Sequence, residues 1–123
     1  MNLEKKDFGN VAVLVIHARQ ITSHDAPDLK TALLGYLVGK ETKFLINLSE
    51  VESIDSTGLG ALLFGLRQAK QHGKSLAFCD MKPKVRFLIK VAHLEEAMDL
   101  FDTQAEALER MQRKKGNHAK TSG

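Results

Sequence analysis

The chain has 123 residues, 43% of them apolar and 27% charged, with one cysteine and no tryptophan. This length and composition predict one domain with a buried core, and they exclude a disulfide framework and a membrane-spanning segment. The net charge is +3, but residues 1–109 carry 13 basic and 15 acidic groups, and the surplus positive charge begins at Arg110. A slightly acidic body with a single tyrosine argues against a nucleic-acid-binding face.

Apolar periodicity predicts strands and helices in alternation along the chain. Strands are expected at 3–6, 11–16, 44–48, 75–79 and 98–100, and helices are expected from about residues 23, 57, 83 and 104. Gly39 and Gly73 are predicted to end the first two helices, and Thr103 with Glu106 forms a capping-box pattern before the last one. This alternation predicts an α/β fold with a mixed, mostly parallel sheet of four to five strands and about four helices.

The two ends of the chain differ in composition from the region between them. The N-terminal segment 1–7 is charged and is not followed by an apolar run of the signal-peptide type, so a cytoplasmic location is expected. Residues 113–123 are basic and lack apolar periodicity. We therefore expect a domain at 1–112 and a disordered basic tail at 113–123.

The stretch Ser49–Gly60 connects a predicted strand to the longest predicted helix. Ser56 is expected to be the N-cap of that helix, with its hydroxyl accepting from an amide two or three residues on. A phosphate on Ser56 would face the positive end of the helix, where an anion gains about 0.3–1 kcal/mol. Ser56 is therefore either a regulatory phosphorylation site or only a helix cap.

Asp55, directly before Ser56, has two interpretations as well. Its carboxylate could orient the Ser56 hydroxyl, and it would repel a phosphate placed there because both groups are negative. It could equally be a second capping group at the start of the helix.

A helical projection separates two faces of the helix after Ser56. Leu59, Leu62, Leu63 and Leu66 are expected to face the core, and Thr57, Gly60, Ala61, Phe64 and Gln68 are expected to face solvent. Phe64 on the solvent face predicts a protein-binding surface, with packing against a neighbouring helix as the alternative. The glycines weaken the helix by about 1 kcal/mol each, a cost that is explained if another backbone approaches closely.

Catalytic and metal-binding signatures are missing from the sequence. Ser56 lacks the Gly-x-Ser-x-Gly pattern, no Gly-Lys-Ser/Thr follows the glycines, and the five histidines are scattered. The strand end at Asn47 does not offer the acidic cluster of a phosphoryl-accepting receiver domain. We expect a binding protein that is not an enzyme and that uses no cofactor or metal.

The segment Ile54–Gly60, following Leu45–Leu48, resembles the STAS domain, and in particular the single-domain anti-sigma factor antagonists. The resemblance extends over about residues 3–110 and includes Ala26–Lys30, Ala69–Gly73 and Pro83–Val85. It implies a STAS-like fold in a bacterial regulator of transcription.

The resemblance implies a switch in which an anti-sigma factor that is also a serine kinase phosphorylates the antagonist. The unphosphorylated form binds that kinase and frees the sigma factor, and a metal-dependent serine phosphatase restores it. By position, the phosphoacceptor is Ser56. Asp55 and Thr57 are its neighbours. Together with the projection of the helix, this predicts a partner-binding set of Asp55, Thr57, Gly58, Gly60, Ala61, Phe64 and Thr22.

One departure concerns Thr22, which stands where an aspartate is often found in the family. The alternative function is a constitutive STAS interaction module, associated with a transporter or a stress-signalling scaffold, in which Ser56 is not phosphorylated. In either case we expect a monomer or weak dimer without direct contact to nucleic acid or membrane.

Overall fold

The protein folds as a central sheet with helices on both faces. A computed structural model describes residues 1–112, and the predicted basic tail at 113–123 lies outside the described residues. The strands are β1 (Asn2–Phe8), β2 (Val11–His17), β3 (Gln20–Ile21), β4 (Lys43–Asn47), β5 (Ser53–Ile54), β6 (Ser75–Cys79) and β7 (Asp99–Phe101). The helices are α1 (Ala26–Leu37), α2 (Ser56–Gln71), α3 (Pro83–Val91) and α4 (104–112).

The main sheet has five strands in the order β1-β2-β4-β6-β7. β1 pairs antiparallel with β2 as a hairpin, and each of the other neighbouring pairs is parallel. Parallel neighbours need crossover connections, which the intervening helices provide. The expected α/β class, with a mostly parallel sheet and about four helices, is confirmed.

β2 is buried on both faces, as its uninterrupted apolar sequence, rich in valine and isoleucine, predicts. Ala12, Leu14 and Ile16 belong to the larger core, which also contains apolar residues of α1, α2 and α3. Val11, Val13 and Val15 belong to a second core on the opposite face, with Ala107 and Met111 of α4. Alternating side chains of one strand therefore hold helices on both sides of the sheet.

A second, two-stranded sheet lies outside the main one. β3 pairs parallel with β5, with Gln20 opposite Ser53 and Ile21 opposite Ile54. Neither short strand is among those predicted from the sequence, so this pairing was not expected. Two-residue strands carry too little periodicity to be recognised from sequence.

Several element boundaries differ slightly from the prediction. α1 begins at Ala26, because residues 22–25 form a turn in which the amides of Asp25 and Ala26 donate to the Thr22 carbonyl at 2.9 and 3.0 Å. Gly73 adopts a left-handed conformation with φ of 68° just after α2, as expected of a helix-ending glycine. No helix within residues 1–112 is long and apolar enough to cross a membrane.

Candidate functional site around Ser56 and the start of helix α2

Two loops meet at the start of α2. β3 and β5 run parallel, so the segments that follow them, residues 22–25 and 55–57, emerge at the same edge of the small sheet. The Asp55 amide donates to the Ile21 carbonyl at 3.1 Å, which continues the pairing one residue beyond β5. The position of Ser56 is therefore determined by a segment more than 30 residues earlier in the chain.

Asp55, and not Ser56, is the N-cap of α2. Its backbone is extended (φ −94°, ψ 178°), and its Oδ1 accepts from the Gly58 amide at 2.7 Å. Its other oxygen, Oδ2, accepts from the Ser23 amide at 3.0 Å. One carboxylate thus caps the helix and also holds the neighbouring loop against it, and the capping interpretation of Asp55 is the one that the structure adopts.

Ser56 is the first residue with helical geometry, so the prediction that its hydroxyl caps α2 is wrong. The physical reason is that the extended conformation ends at Asp55, one residue earlier than the sequence suggests. Ser56 and Thr57 are exposed. The first intrahelical bond joins the Leu59 amide to the Asp55 carbonyl at 2.9 Å, so the amides of Ser56 and Thr57 lie at the open end of the helix.

Thr22 organises the adjacent loop through its side chain. Its hydroxyl donates to Asp25 Oδ2 at 3.1 Å and accepts from the His24 amide at 3.2 Å. The Thr22 amide also donates to Asp25 Oδ2 at 3.0 Å, and this bond is the main reason that the pKa of Asp25 is lowered. Thr22 is half-buried, so it supports the loop beside Ser56 and presents only part of its surface.

Gly58 and Ala61 are buried, whereas Gly60 is partly exposed. A Cβ on Gly58 would lie 2.5 Å from the Ile21 carbonyl oxygen, so this position has no room for any side chain. A Cβ on Gly65 would lie 2.9 Å from Leu33 Cδ1 on α1, but one on Gly60 would meet nothing within 4 Å. Close approach of another segment therefore explains Gly58 and Gly65, and it does not explain Gly60.

The expectation that Ala61 faces solvent is wrong. Ala61 is fully buried and lies one turn before Gly65, on the side of α2 that packs against α1. A projection from the leucine stripe alone makes the buried face too narrow, because it omits contact with a second helix.

Phe64 is half-buried, so its exposure lies between that of a ring facing solvent and that of a ring packed against a neighbouring helix. The Lys30 Nζ on α1 is 5.8 Å from the centre of the Phe64 ring. This distance is within the range of a cation–π contact, which at exposed sites contributes about 0.5–1 kcal/mol. The ring therefore contacts α1 through Lys30 and keeps part of its surface open to solvent.

A charged cluster that the sequence analysis missed lies where β2 ends. His17 Nε2 is 2.7 Å from Glu4 Oε1, and His17 Nδ1 is 2.8 Å from Glu50 Oε2. These two carboxylates raise the pKa of His17, the bond to Glu4 being the larger cause. Residues 4, 17 and 50 share no recognisable spacing, so no sequence signal identifies the cluster.

Asn47, singled out from the sequence only for lacking a carboxylate, has a structural role. Its Nδ2 donates to Gln104 Oε1 at 2.7 Å, and its Oδ1 accepts from the Ser49 amide at 2.8 Å. This buried side chain therefore ties the start of α4 to the loop that leads towards Ser56.

Within residues 1–112, no cluster of three or more histidine, cysteine, aspartate or glutamate residues is arranged to hold a metal ion. Cys79 is buried, and burial raises the pKa of its thiol, which disfavours the reactive thiolate. His24 lies in the loop beside Ser56. Within residues 1–112, no hydrogen bond joins the His24 side chain to the Ser56 side chain.

Comparison with known proteins finds relatives over nearly the whole chain. A family model described as STAS domain matches residues 2–107. An anti-sigma F factor antagonist from Paenibacillus polymyxa is 24% identical over 110 residues, which cover 88% of this chain and 94% of that relative.

Solved structures share the same fold. The crystal structure of an anti-sigma factor antagonist from Mycobacterium paratuberculosis aligns with a TM-score of 0.81 at 22% identity, covering 90% of this chain and 93% of that one. The phosphorylated form of the Bacillus cell fate determinant SpoIIAA aligns with a TM-score of 0.66 at 17% identity, covering 89% and 99% of the two chains.

Proposed function

The chain belongs to the STAS domain family, and from this membership we propose that it is an anti-sigma factor antagonist switched by phosphorylation of Ser56. The unphosphorylated form binds an anti-sigma factor that is also a serine kinase, and so releases the sigma factor. A serine phosphatase reverses the modification. The relative from Paenibacillus polymyxa, which aligns over most of its length, is named an anti-sigma F factor antagonist.

The observation that carries this proposal is the exposed Ser56 at the first position of α2, directly after the capping residue Asp55. An exposed hydroxyl at a helix start can enter a kinase active site without unfolding the domain. The amides of Ser56 and Thr57 at the open helix end supply positive partial charge to a phosphate there. These two features favour modification of Ser56 over modification of a buried or mid-helix serine.

The Asp55 carboxylate would repel a phosphate on Ser56. Both of its carboxylate oxygens are already occupied, Oδ1 by the Gly58 amide and Oδ2 by the Ser23 amide. A phosphate on Ser56 brings like charge beside that carboxylate and competes for the same amides. We infer that phosphorylation weakens the bond between the two loops as well as adding charge to the surface that the kinase contacts.

The proposed partner surface is the exposed end of α2 with the adjoining loop. Asp55, Ser56 and Thr57 are exposed there, and Gly60, Phe64 and Thr22 are partly exposed. Gly58 and Ala61 are buried and would act only through the shape that they allow the backbone to adopt. We propose that residues 1–112 form this binding domain, that residues 113–123 are a separate basic tail, and that the domain binds partners without catalysing a reaction.

Substitution of Ser56 tests the switch. Ser56→Ala should bind the cognate kinase as the wild type does and accept no phosphate from ATP, and Ser56→Asp should bind at least about tenfold more weakly. Ser49, exposed in the preceding loop, supplies matched controls. Ser49→Ala and Ser49→Asp should leave binding and phosphate incorporation unchanged, as measured by calorimetry and intact mass.

The alternative function, a constitutive STAS module, gives a different result in the same experiment. Ser56→Ala and Ser56→Asp would then bind the partner equally, and the protein isolated from its own cells would carry no phosphate on Ser56. Either finding would refute the switch.

A further inference from the structure

A short connector, residues 48–52, joins β4 to β5 and contacts the end of β2 through two side chains. His17 Nδ1 is 2.8 Å from Glu50 Oε2, and Arg19 Nη2 donates to Glu52 Oε2 at 3.0 Å. A guanidinium keeps its proton in proteins, so the second contact does not change with pH near neutrality. The imidazole in the first contact gains and loses a proton in this range.

The backbone of the connector is fixed more firmly after Glu50 than around it. Val51 is fully buried, and the Glu52 amide donates to the Arg19 carbonyl at 2.8 Å. Glu50 itself is exposed, so the contact with the imidazole is what fixes its side chain. Loss of that contact can therefore loosen the turn at residues 49–51 without unfolding the rest of the domain.

Both ring nitrogens of His17 face carboxylates from different segments. Nε2 is 2.7 Å from Glu4 Oε1 on β1, and Nδ1 faces Glu50 of the connector. Only the imidazolium form carries a hydrogen on both nitrogens, so only this form donates to both carboxylates. A neutral ring turns a lone pair towards one carboxylate oxygen, and two acceptors at this distance repel each other. The two contacts therefore exist together only while the ring is protonated.

The surrounding charges favour the protonated ring. Glu4 and Glu50 are the charged groups that raise the pKa of His17 above its ordinary value of 6.5, and Lys6 acts on Glu4 in turn. β4, on the other side of β2, ends in the uncharged Asn47. Both contacts are therefore complete below about pH 6.5, and one is lost as the pH rises through the raised pKa.

We propose that the His17–Glu50 contact is a proton-dependent restraint on the connector, formed while the ring is charged and released when the ring loses its proton. Glu50 is the carboxylate that leaves, because Glu4 lies on a strand that pairs with β2 along all seven of its residues. The remaining proton then lies on Nε2 and faces Glu4. Release loosens the turn at 49–51, just before β5 and the segment that presents Ser56. This inference does not depend on whether Ser56 is phosphorylated.

Amide exchange in the full-length chain, followed by NMR from about pH 5.5 to about pH 9, tests the restraint. Protection factors are compared, because they correct for the intrinsic pH dependence of exchange. In the wild type, the protection of the hydrogen-bonded Ser49 and Val51 amides should fall about twofold to fivefold as His17 titrates, the range for one partly exposed ion pair. Glu50→Gln should show the lower protection throughout, without a change at the His17 pKa.

The Arg19–Glu52 contact supplies a matched control on the same connector. Glu52→Gln removes a carboxylate whose partner does not titrate, so any loss of protection should be equal at all pH values in the range. His72→Gln removes a histidine at the end of α2, outside the connector, and should keep the pH dependence of the wild type. Circular dichroism of each variant should report unchanged folding.

Two independent results would overturn the proposal. The first is protection at Ser49 and Val51 that does not change as His17 titrates in the wild type, or that changes equally in Glu50→Gln. The second is a neutral ring with its proton on Nδ1, measured by the 15N shifts of the imidazole, because Glu50 would then be retained.

Discussion

Replacing Gly58 with alanine should destabilise the domain, although alanine is normally the better helix residue. The added Cβ would lie 2.5 Å from the Ile21 carbonyl oxygen, 2.8 Å from Ile54 Cγ1 and 2.9 Å from Ile21 Cγ2. A backbone oxygen cannot rotate away, so β3 and the start of α2 must separate by about 0.9 Å to restore an ordinary contact of 3.4 Å. The substitution therefore acts directly on the pairing that positions Ser56.

The magnitude follows from two opposing terms. Overpacking of this kind costs about 1–3 kcal/mol, and the gain in helix propensity on replacing glycine offsets at most about 1 kcal/mol. Because the added Cβ clashes with a backbone atom, the cost lies in the upper part of that range, about 2–3 kcal/mol, and we expect a net loss of about 1–2 kcal/mol in the free energy of unfolding. For a domain of this size the melting temperature should fall by roughly 4–8 °C.

Gly60 supplies the matched control, since it lies two residues later in the same helix. A Cβ there meets nothing within 4 Å, so Gly60→Ala should raise the free energy of unfolding by about 0.5–1 kcal/mol. Urea unfolding followed by circular dichroism measures both variants. If Gly58→Ala is as stable as Gly60→Ala, the close approach of Ile21 does not constrain α2 and the reasoning is refuted.

Two further substitutions test the contacts around the site and at the end of β2. Asp55→Ala should lower the free energy of unfolding by about 1–2 kcal/mol in urea titrations, because it removes the bond that caps the Gly58 amide and the bond to the Ser23 amide. Asp55→Asn keeps an acceptor oxygen and should lose less stability. Equal losses in the two variants would contradict the capping role. His17→Gln should destabilise the protein at pH values below about 6.5, where the stabilising effect of the raised His17 pKa is fully present. Its deficit relative to the wild type should shrink as pH rises through that raised pKa, and a deficit independent of pH would show that Glu4 and Glu50 do not stabilise the imidazolium.

The fold was predictable from the sequence wherever a pattern of apolar residues extends over several turns of a helix or most of a strand. The continuous apolar run of β2 identifies a strand buried on both faces, and the leucine stripe of α2 identifies a helix against the core. The β2 run is apolar throughout because both of its faces are covered, and the α2 stripe reports burial of one helix face against the core. Ala61 was misplaced because its burial comes from a second neighbour, α1.

The start of α2 was predictable to within one residue. The segment 55–58 marks the start of α2 through residue types that favour caps and turns, but residue type alone does not distinguish Asp55 from Ser56 as the cap. That choice depends on where the backbone changes from extended to helical, and the change occurs where β5 stops pairing with β3. The Ser23 amide beside Asp55 belongs to a loop 32 residues away, so no local pattern contains it.

The sequence by itself determined the class of fold, the order of the main strands and helices, and the exposed serine at the head of α2. Only the tertiary structure decided that Asp55 caps the helix, that its carboxylate also holds the loop at Ser23, and that His17 joins Glu4 to Glu50. The physical reason is separation along the sequence. Propensity and periodicity are set by residues a few positions apart, whereas these contacts join segments that meet only after the sheet has assembled.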